Sequence, residues 1–87
     1  MADRTALLPD ARGRGHGTAA QRLLADYLFS TSLVQRVEAG TDVENLAEQR
    51  ALEKAGFARD GVMRQAQYRD GAWHDMVIFS RLRNDSV

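Results

Sequence analysis

A glycine-rich segment near the N-terminus limits the folds open to this 87-residue chain more than any other feature. Between residues 12 and 18, three glycines stand at alternate positions, a pattern that disfavours both a regular helix and a regular strand. Leu7 and Leu8 form a short apolar stub before this segment, and Pro9 ends the stub. We therefore predict the end of a strand, then a loop, then a new element that begins after residue 18.

A helical period follows the loop over residues 19–30. Its predicted apolar stripe is Ala20, Leu23, Leu24, Tyr27 and Leu28, and its other faces carry Gln21, Arg22 and Asp26. Residues 33–40 are then predicted to form a strand, because Val37 and Ala39 alternate with charged residues.

The pattern of a second helix has recognisable ends. Asn45 is a preferred N-cap residue, and Glu48 stands three residues later in the capping-box position. Gly56 is predicted to end the helix in a left-handed conformation, with Phe57 folding back onto the last turn. The predicted buried positions of this helix are Leu46, Ala47, Ala51, Leu52 and Ala55.

The C-terminal third is predicted to form a β-hairpin. Asp70 and Gly71 form a strong type I′ turn signal between two extended runs. The predicted cross-strand pairs are Arg69 with Ala72, Tyr68 with Trp73, Gln67 with His74, and Val62 with Phe79. The predicted order is strand, helix, strand, helix, strand, strand, so the fold class is α/β with a mixed sheet, in a single domain that spans residues 1–87.

The composition excludes several classes of function. Twelve basic and twelve acidic residues cancel, which disfavours nucleic acid or a membrane surface as a partner. The chain has no cysteine, so a disulfide framework and a thiol nucleophile are excluded, and its two histidines indicate no metal site. No apolar run approaches the roughly 20 residues that cross a bilayer, and we expect a cytoplasmic protein.

The glycine loop is suited to an anion. A glycine-rich turn before a helix exposes successive backbone N–H groups at the positive end of the helix dipole, which favours a phosphate or a pyrophosphate. Arg12 and Arg14 add positive charge to the same segment. The alternative is a tight connection without a ligand. The spacing fits neither a P-loop nor the dinucleotide-binding fingerprint.

Residues 7–18, LLPDARGRGHGT, resemble the acyl-CoA pyrophosphate loop of GNAT acetyltransferases, whose core pattern is Arg/Gln-x-x-Gly-x-Gly/Ala. The resemblance is closest to the branch that acetylates the N-termini of ribosomal proteins. That branch carries sequences similar to three further segments of this chain: TDVEN at 41–45, EKAGF at 53–57 and YRDGAWHD at 68–75. The matching segments occur in the same order and cover nearly all of residues 7–82.

The resemblance implies an acetyl-CoA-dependent N-acetyltransferase that needs no metal, in which a small-molecule or peptide amine attacks the thioester directly. It implies that the pyrophosphate binds the loop, and that the pantetheine arm lies beside the backbone of the apolar stub and reaches Asn45. The implied cofactor-binding residues are Leu7, Leu8, Arg12, Gly13, Arg14, Gly15, His16, Gly17, Thr18 and Asn45. No catalytic residue is assigned.

Several polar residues also have purely structural explanations. Asn45 is explained by capping alone, although its amide has both a donor and an acceptor for two roles. Glu48 is predicted to be a capping partner rather than a base. His74 and Asp75 are neighbours on a strand and point to opposite faces, so they form no dyad.

Two features depart from the family pattern. Many members carry a serine at the position of Glu48, and family enzymes have a further half before the segment that matches Leu7. We therefore expect activity only when a second copy, in a homodimer, or a separate polypeptide supplies the missing half. The alternative is a fragment that binds CoA without catalysis or has a structural role only.

Overall fold

A computed structural model gives the structure of residues 4–8 and 17–85. The elements are β1 (Thr5–Leu7), α1 (Thr18–Thr31), β2 (Arg36–Asp42), α2 (Leu46–Lys54), β3 (Ala58–Arg69) and β4 (Ala72–Leu82). The four strands form one sheet in the order β1-β2-β4-β3, with β1 parallel to β2 and the other pairs antiparallel. The predicted element order and the mixed α/β class are confirmed.

The core lies between one face of the sheet and the two helices. Strict alternation along β2 directs Val37 and Ala39 to this face, opposite Phe79 and its neighbours on β4. Ala25 of α1 and Leu52 of α2 cover them from the helix side. Both helices therefore pack on the same face of the sheet. In the described ranges, no helix has the length and apolar character that crossing a membrane requires.

The predicted buried face of α1 is largely wrong. Leu23 and Tyr27 are 67% and 62% exposed, whereas Gln21 and Ala25 are buried. The reason lies in the tertiary structure, because the side of α1 that carries Gln21 faces α2. The guanidinium of Arg22, on the same side, donates to the carbonyl oxygen of Lys54 at the end of α2, at 2.5 Å.

The ends of α2 agree with the prediction, whereas part of its buried face does not. The Asn45 side chain accepts a hydrogen bond from the Glu48 backbone N–H at 3.1 Å, which confirms the N-cap. Gly56 has φ of 96°, and the Phe57 N–H donates to the Leu52 carbonyl at 3.0 Å, which confirms the left-handed C-terminal motif. The predicted positions Leu52 and Ala55 are buried and Ala51 is half-buried, but Leu46 and Ala47 are exposed and Glu48 and Gln49 are buried in their place.

The hairpin follows the predicted register only near its turn. Tyr68 pairs with Trp73, and both turn residues have positive φ, as a type I′ turn requires. Further along, Val62 pairs with Val77 instead of Phe79. Irregularities between Met63 and Gln67 and between Arg59 and Gly61 shift the ladder.

Candidate functional site

Within the part of the chain that the structure describes, the pairing between β1 and β2 covers only the first part of β2. The parallel ladder runs as far as Leu7 and Glu38, and the Leu8 N–H makes a last hydrogen bond to the Glu38 carbonyl at 2.8 Å. The following β2 residues, from Ala39 to Asp42, pair with β4 and have no β1 partner among the described residues. On the edge away from β4, this stretch, called here the unpaired length of β2, offers backbone groups to a ligand with amide groups of its own.

Two cavities meet at this gap, one on each face of the sheet. Leu8, Ala39 and Gly40 line both of them. The helix-side cavity, of about 190 Å³, is completed by Ala20, Gln21, Leu24 and Glu48. The strand-side cavity, of about 240 Å³, is completed by Leu7, Glu38, Gln67, Met76 and Ile78. The gap is therefore approachable from both faces of the sheet.

The N-terminus of α1 is open. Gly17 is its N-cap in an extended conformation, with φ of −69° and ψ of 168°, and makes no side-chain cap. Among the described residues, no atom lies within 4 Å of a Cβ added at Gly17. Thr18 begins α1, whose first turn contains no acidic residue. No side chain in the first turn of α1 neutralises the positive end of the helix dipole, so this end of the helix is suited to an anion.

The predicted site residues fall into four groups. Leu7 and Leu8 lie at the gap, and Gly17 and Thr18 lie at the open end of α1. The loop residues Arg12, Gly13, Arg14, Gly15 and His16 lie outside the described residues, so their role stays a prediction. Asn45 caps α2 and lines a separate polar cavity of about 390 Å³, so its contact with the arm also stays a prediction.

Sequence reasoning missed a buried polar pair beside the helix-side cavity. Gln21 and Glu48 are 5% and 8% exposed, and the Gln21 Nε2 donates to the Glu48 carboxylate. The Gln21 Oε1 is buried and has no hydrogen-bond partner among the described residues. Leaving such an acceptor unpaired costs about 1–3 kcal/mol. The sequence indicated this pair only through Glu48, which stands where many family members carry a serine.

A second polar group fastens the hairpin to the junction of β2 and α2. The Asp42 carboxylate bonds to Arg69 and lies 2.8 Å from His74 Nδ1, while His74 Nε2 lies 3.0 Å from the Arg69 carbonyl. The Glu44 backbone N–H, 2.8 Å from the Asp42 carboxylate, is the main reason that the pKa of Asp42 lies below its ordinary value. Electrostatic and hydrogen-bonding contacts with His74, together with the charge of Arg69, lower the pKa of Asp42 further.

His74 and Asp75 have separate partners. The Asp75 carboxylate accepts from the Gln65 backbone N–H at 2.7 Å, whereas His74 faces Asp42. These different partners are consistent with neighbouring strand residues that point to opposite faces. Across residues 4–8 and 17–85, no three or more His, Cys, Asp or Glu side chains group as metal ligands.

Comparison with known proteins identifies the family. The chain matches the family model described as "Acetyltransferase (GNAT) domain" over residues 4–58. It therefore belongs to the GNAT acetyltransferases, as the resemblance of its motifs implied. It is similar to the probable N-acetyltransferase YjcK of Bacillus subtilis, with 40% identity over 73 residues, which are 84% of this chain and 40% of YjcK.

Solved structures show the same fold. The chain is similar to the ribosomal-protein-S5-alanine acetyltransferase from Vibrio fischeri, with a TM-score of 0.79 and 23% identity over 94% of this chain and 48% of that one. It is also similar to RimL, a ribosomal L7/L12 α-N-protein acetyltransferase in complex with coenzyme A, with a TM-score of 0.76 and 21% identity over 91% of this chain and 48% of RimL. The chain thus spans about 40% of the curated relative and 48% of these two structures.

Proposed function

We propose that this chain forms the acyl-CoA-binding part of an N-acetyltransferase, which transfers an acetyl group from the CoA thioester to an amine. One observation carries the proposal: the β1–β2 pairing ends at Leu8, beside two cavities on opposite faces of the sheet. The open N-terminus of α1 adds a suitable place for the phosphates. Membership of the GNAT family supports the same reaction.

The binding role is divided between backbone and side chains. The first N–H groups of α1 and the predicted loop, Arg12 to His16, hold the pyrophosphate. The backbone of Leu7 and Leu8 and the unpaired length of β2 hold the pantetheine arm. Acetyl-CoA supplies an activated thioester, and backbone N–H groups at the gap stabilise negative charge that develops on its carbonyl oxygen.

The strand-side cavity gives the amine its own route to the gap. This cavity lies on the face of the sheet opposite the helices, so an acceptor that enters it does not compete with the arm for space. Leu7, Met76 and Ile78 give it an apolar wall, and Glu38 is a carboxylate at its edge, ion-paired with Arg36 at 2.7 Å. We propose a small-molecule or peptide amine as the acceptor.

We further propose that this cytoplasmic enzyme acts as a homodimer or with a complementing polypeptide. Exposed apolar side chains on α1 support a covering partner, since Leu23 is 67% and Tyr27 62% exposed. The face of the sheet that carries Leu7, 75% exposed, supports it too, because no described helix packs on that face. Such surfaces are normally covered by another chain or segment.

Thermal unfolding with and without acetyl-CoA tests the proposal, together with a transfer assay on a panel of amines and the oligomeric mass of the same sample. A ligand at 100 times its dissociation constant stabilises the fold by about 2.7 kcal/mol, which is easily measured. Stabilisation with turnover supports the enzyme. Stabilisation without turnover, for the chain alone and for mixtures with candidate partners, favours a CoA-binding module. No stabilisation by either CoA or acetyl-CoA refutes the proposed site.

A further inference from the structure

Gln21 and Glu48 form a buried polar contact between α1 and α2. They lie 27 residues apart in sequence, and both line the helix-side cavity. Two apolar side chains of similar size would join the helices without the cost of removing a carboxylate and an amide from water. A polar contact at this place therefore suggests a role beyond holding the helices together.

The Glu48 carboxylate determines how the Gln21 amide is oriented. The Gln21 NH2 group donates to a Glu48 carboxylate oxygen, which fixes which end of the amide faces Glu48. The Gln21 Oε1 consequently lies on the other side of the amide, where it is buried and has no partner in the described ranges. The remaining side chains of this cavity, from Leu8, Ala20, Leu24 and Ala39, are apolar and offer no donor.

We propose that Gln21 and Glu48 together position the pantetheine arm: Glu48 orients Gln21, and the Gln21 Oε1 accepts a hydrogen bond from an amide N–H of the arm. This inference rests on the proposed function, because it assigns residues of this chain to that cofactor. An acceptor at this position favours an extended ligand with secondary amide donors. Gln21 contacts the ligand, whereas Glu48 acts through Gln21 and is a positioning residue.

The first test is Gln21→Met, which keeps the length of the side chain and removes the amide. Binding by the 87-residue chain is measured by calorimetry for CoA and for 3′-phosphoadenosine 5′-diphosphate, which keeps the phosphates and lacks the arm. The expected result is a loss of about 3- to 10-fold in affinity for CoA, the range for one net hydrogen bond. The affinity for the arm-less nucleotide should change less than about 2-fold on the same reasoning.

Gln49→Met is the matched control. Gln49 is also buried, at 9% exposed, but its amide donates to the Val43 carbonyl at 2.8 Å and lines neither cavity at the gap. This variant should lose stability and keep the wild-type affinity for CoA. It thereby separates a general weakening of the fold from the loss of a ligand contact.

Glu48→Gln tests the positioning role. A glutamine both donates and accepts, so the Gln21 amide is no longer held in one orientation and the affinity for CoA should fall by about 2- to 5-fold. In the Gln21→Met background, Glu48→Gln should have no further effect on CoA affinity, because the amide through which Glu48 is proposed to act is absent. Additive losses in the double variant would show that Glu48 acts independently and would overturn its assigned role.

Two other outcomes overturn the role of Gln21: unchanged CoA affinity in Gln21→Met, and equal losses for CoA and the arm-less nucleotide. The second would show a structural disturbance at the start of α1. Failure of the wild-type chain to bind either ligand is a different result, because it refutes the proposed function itself.

Discussion

Replacing Gly17 by alanine tests the open end of α1 with little disturbance of the fold. The added Cβ would meet no atom of residues 4–8 or 17–85 within 4 Å, and φ of −69° with ψ of 168° is an ordinary conformation for alanine. Alanine is a poorer N-cap than glycine by up to about 1 kcal/mol, while it reduces the entropy of the unfolded chain by a similar 0.4–1 kcal/mol. We expect a change in the free energy of unfolding of less than about 0.5 kcal/mol, since these two effects oppose each other.

The effect on the ligand should be much larger. If a phosphate approaches the first N–H groups of α1, the methyl group occupies the space it needs and weakens a hydrogen bond to a charged group, which contributes about 1.5–3 kcal/mol. This corresponds to a loss of roughly 10- to 150-fold in affinity for CoA. Calorimetric titration with CoA measures it, and urea unfolding measures the stability of the same sample.

Gly61→Ala is the control for this experiment. An added Cβ at Gly61 also meets nothing within 4 Å, and Gly61 lies on β3 outside all the cavities at the gap. This variant should bind CoA as the wild type does. Wild-type affinity in Gly17→Ala would show that the ligand does not approach this backbone and would refute the phosphate site.

Three further predictions concern the stability of the fold. Gly56→Ala should cost about 1–2 kcal/mol, because φ of 96° strains any residue with a Cβ, and thermal unfolding should show a midpoint lower by several degrees. Asp42→Asn should remove part of the acid sensitivity of the fold. Because the pKa of Asp42 is lowered in the fold, its contribution to stability is present above the ordinary value of 3.8 and is lost as the pH falls through the lowered pKa. The free energy of unfolding from urea titrations should therefore depend less on pH across this window than it does for the wild type. Arg83→Met should cost about 1.5–3 kcal/mol in urea unfolding, because the guanidinium donates to three backbone carbonyls at and just beyond the end of α1, and a cost below about 0.5 kcal/mol would contradict this capping role.

Features set by short-range chemistry were predictable from the sequence. The Asn45 cap, the left-handed Gly56 and the Asp70–Gly71 turn each depend on residues within a few positions, so the pattern alone indicates them. The register of β3 against β4 was not predictable beyond the turn. It depends on irregularities near Gln65, a non-glycine residue with φ of 48° that the sequence does not mark.

The polar part of the candidate site depends on contacts between distant residues. Gln21 was assigned to an outer face because helical periodicity compares it only with its neighbours in α1. Its burial follows from a partner on α2, 27 residues away, which periodicity cannot detect. The motif resemblance pointed to Leu7, Leu8, Gly17 and Thr18 because they lie within the resembling segment, and their contact with a cofactor stays a prediction.

Gly40 explains why the two cavities can serve one reaction. It lies on the unpaired length of β2 and lines both cavities, so it separates the helix side from the strand side with backbone alone. A Cβ at this position would come within 3.3 Å of the Ile78 Cδ1, on the strand side, and would narrow the route that we assign to the amine. The amine and the thioester must approach within about 3–3.5 Å before reaction. Because Gly40 has no side chain, the two cavities are close enough here for that approach. The proposed chemistry therefore depends on the place where the β1–β2 pairing stops.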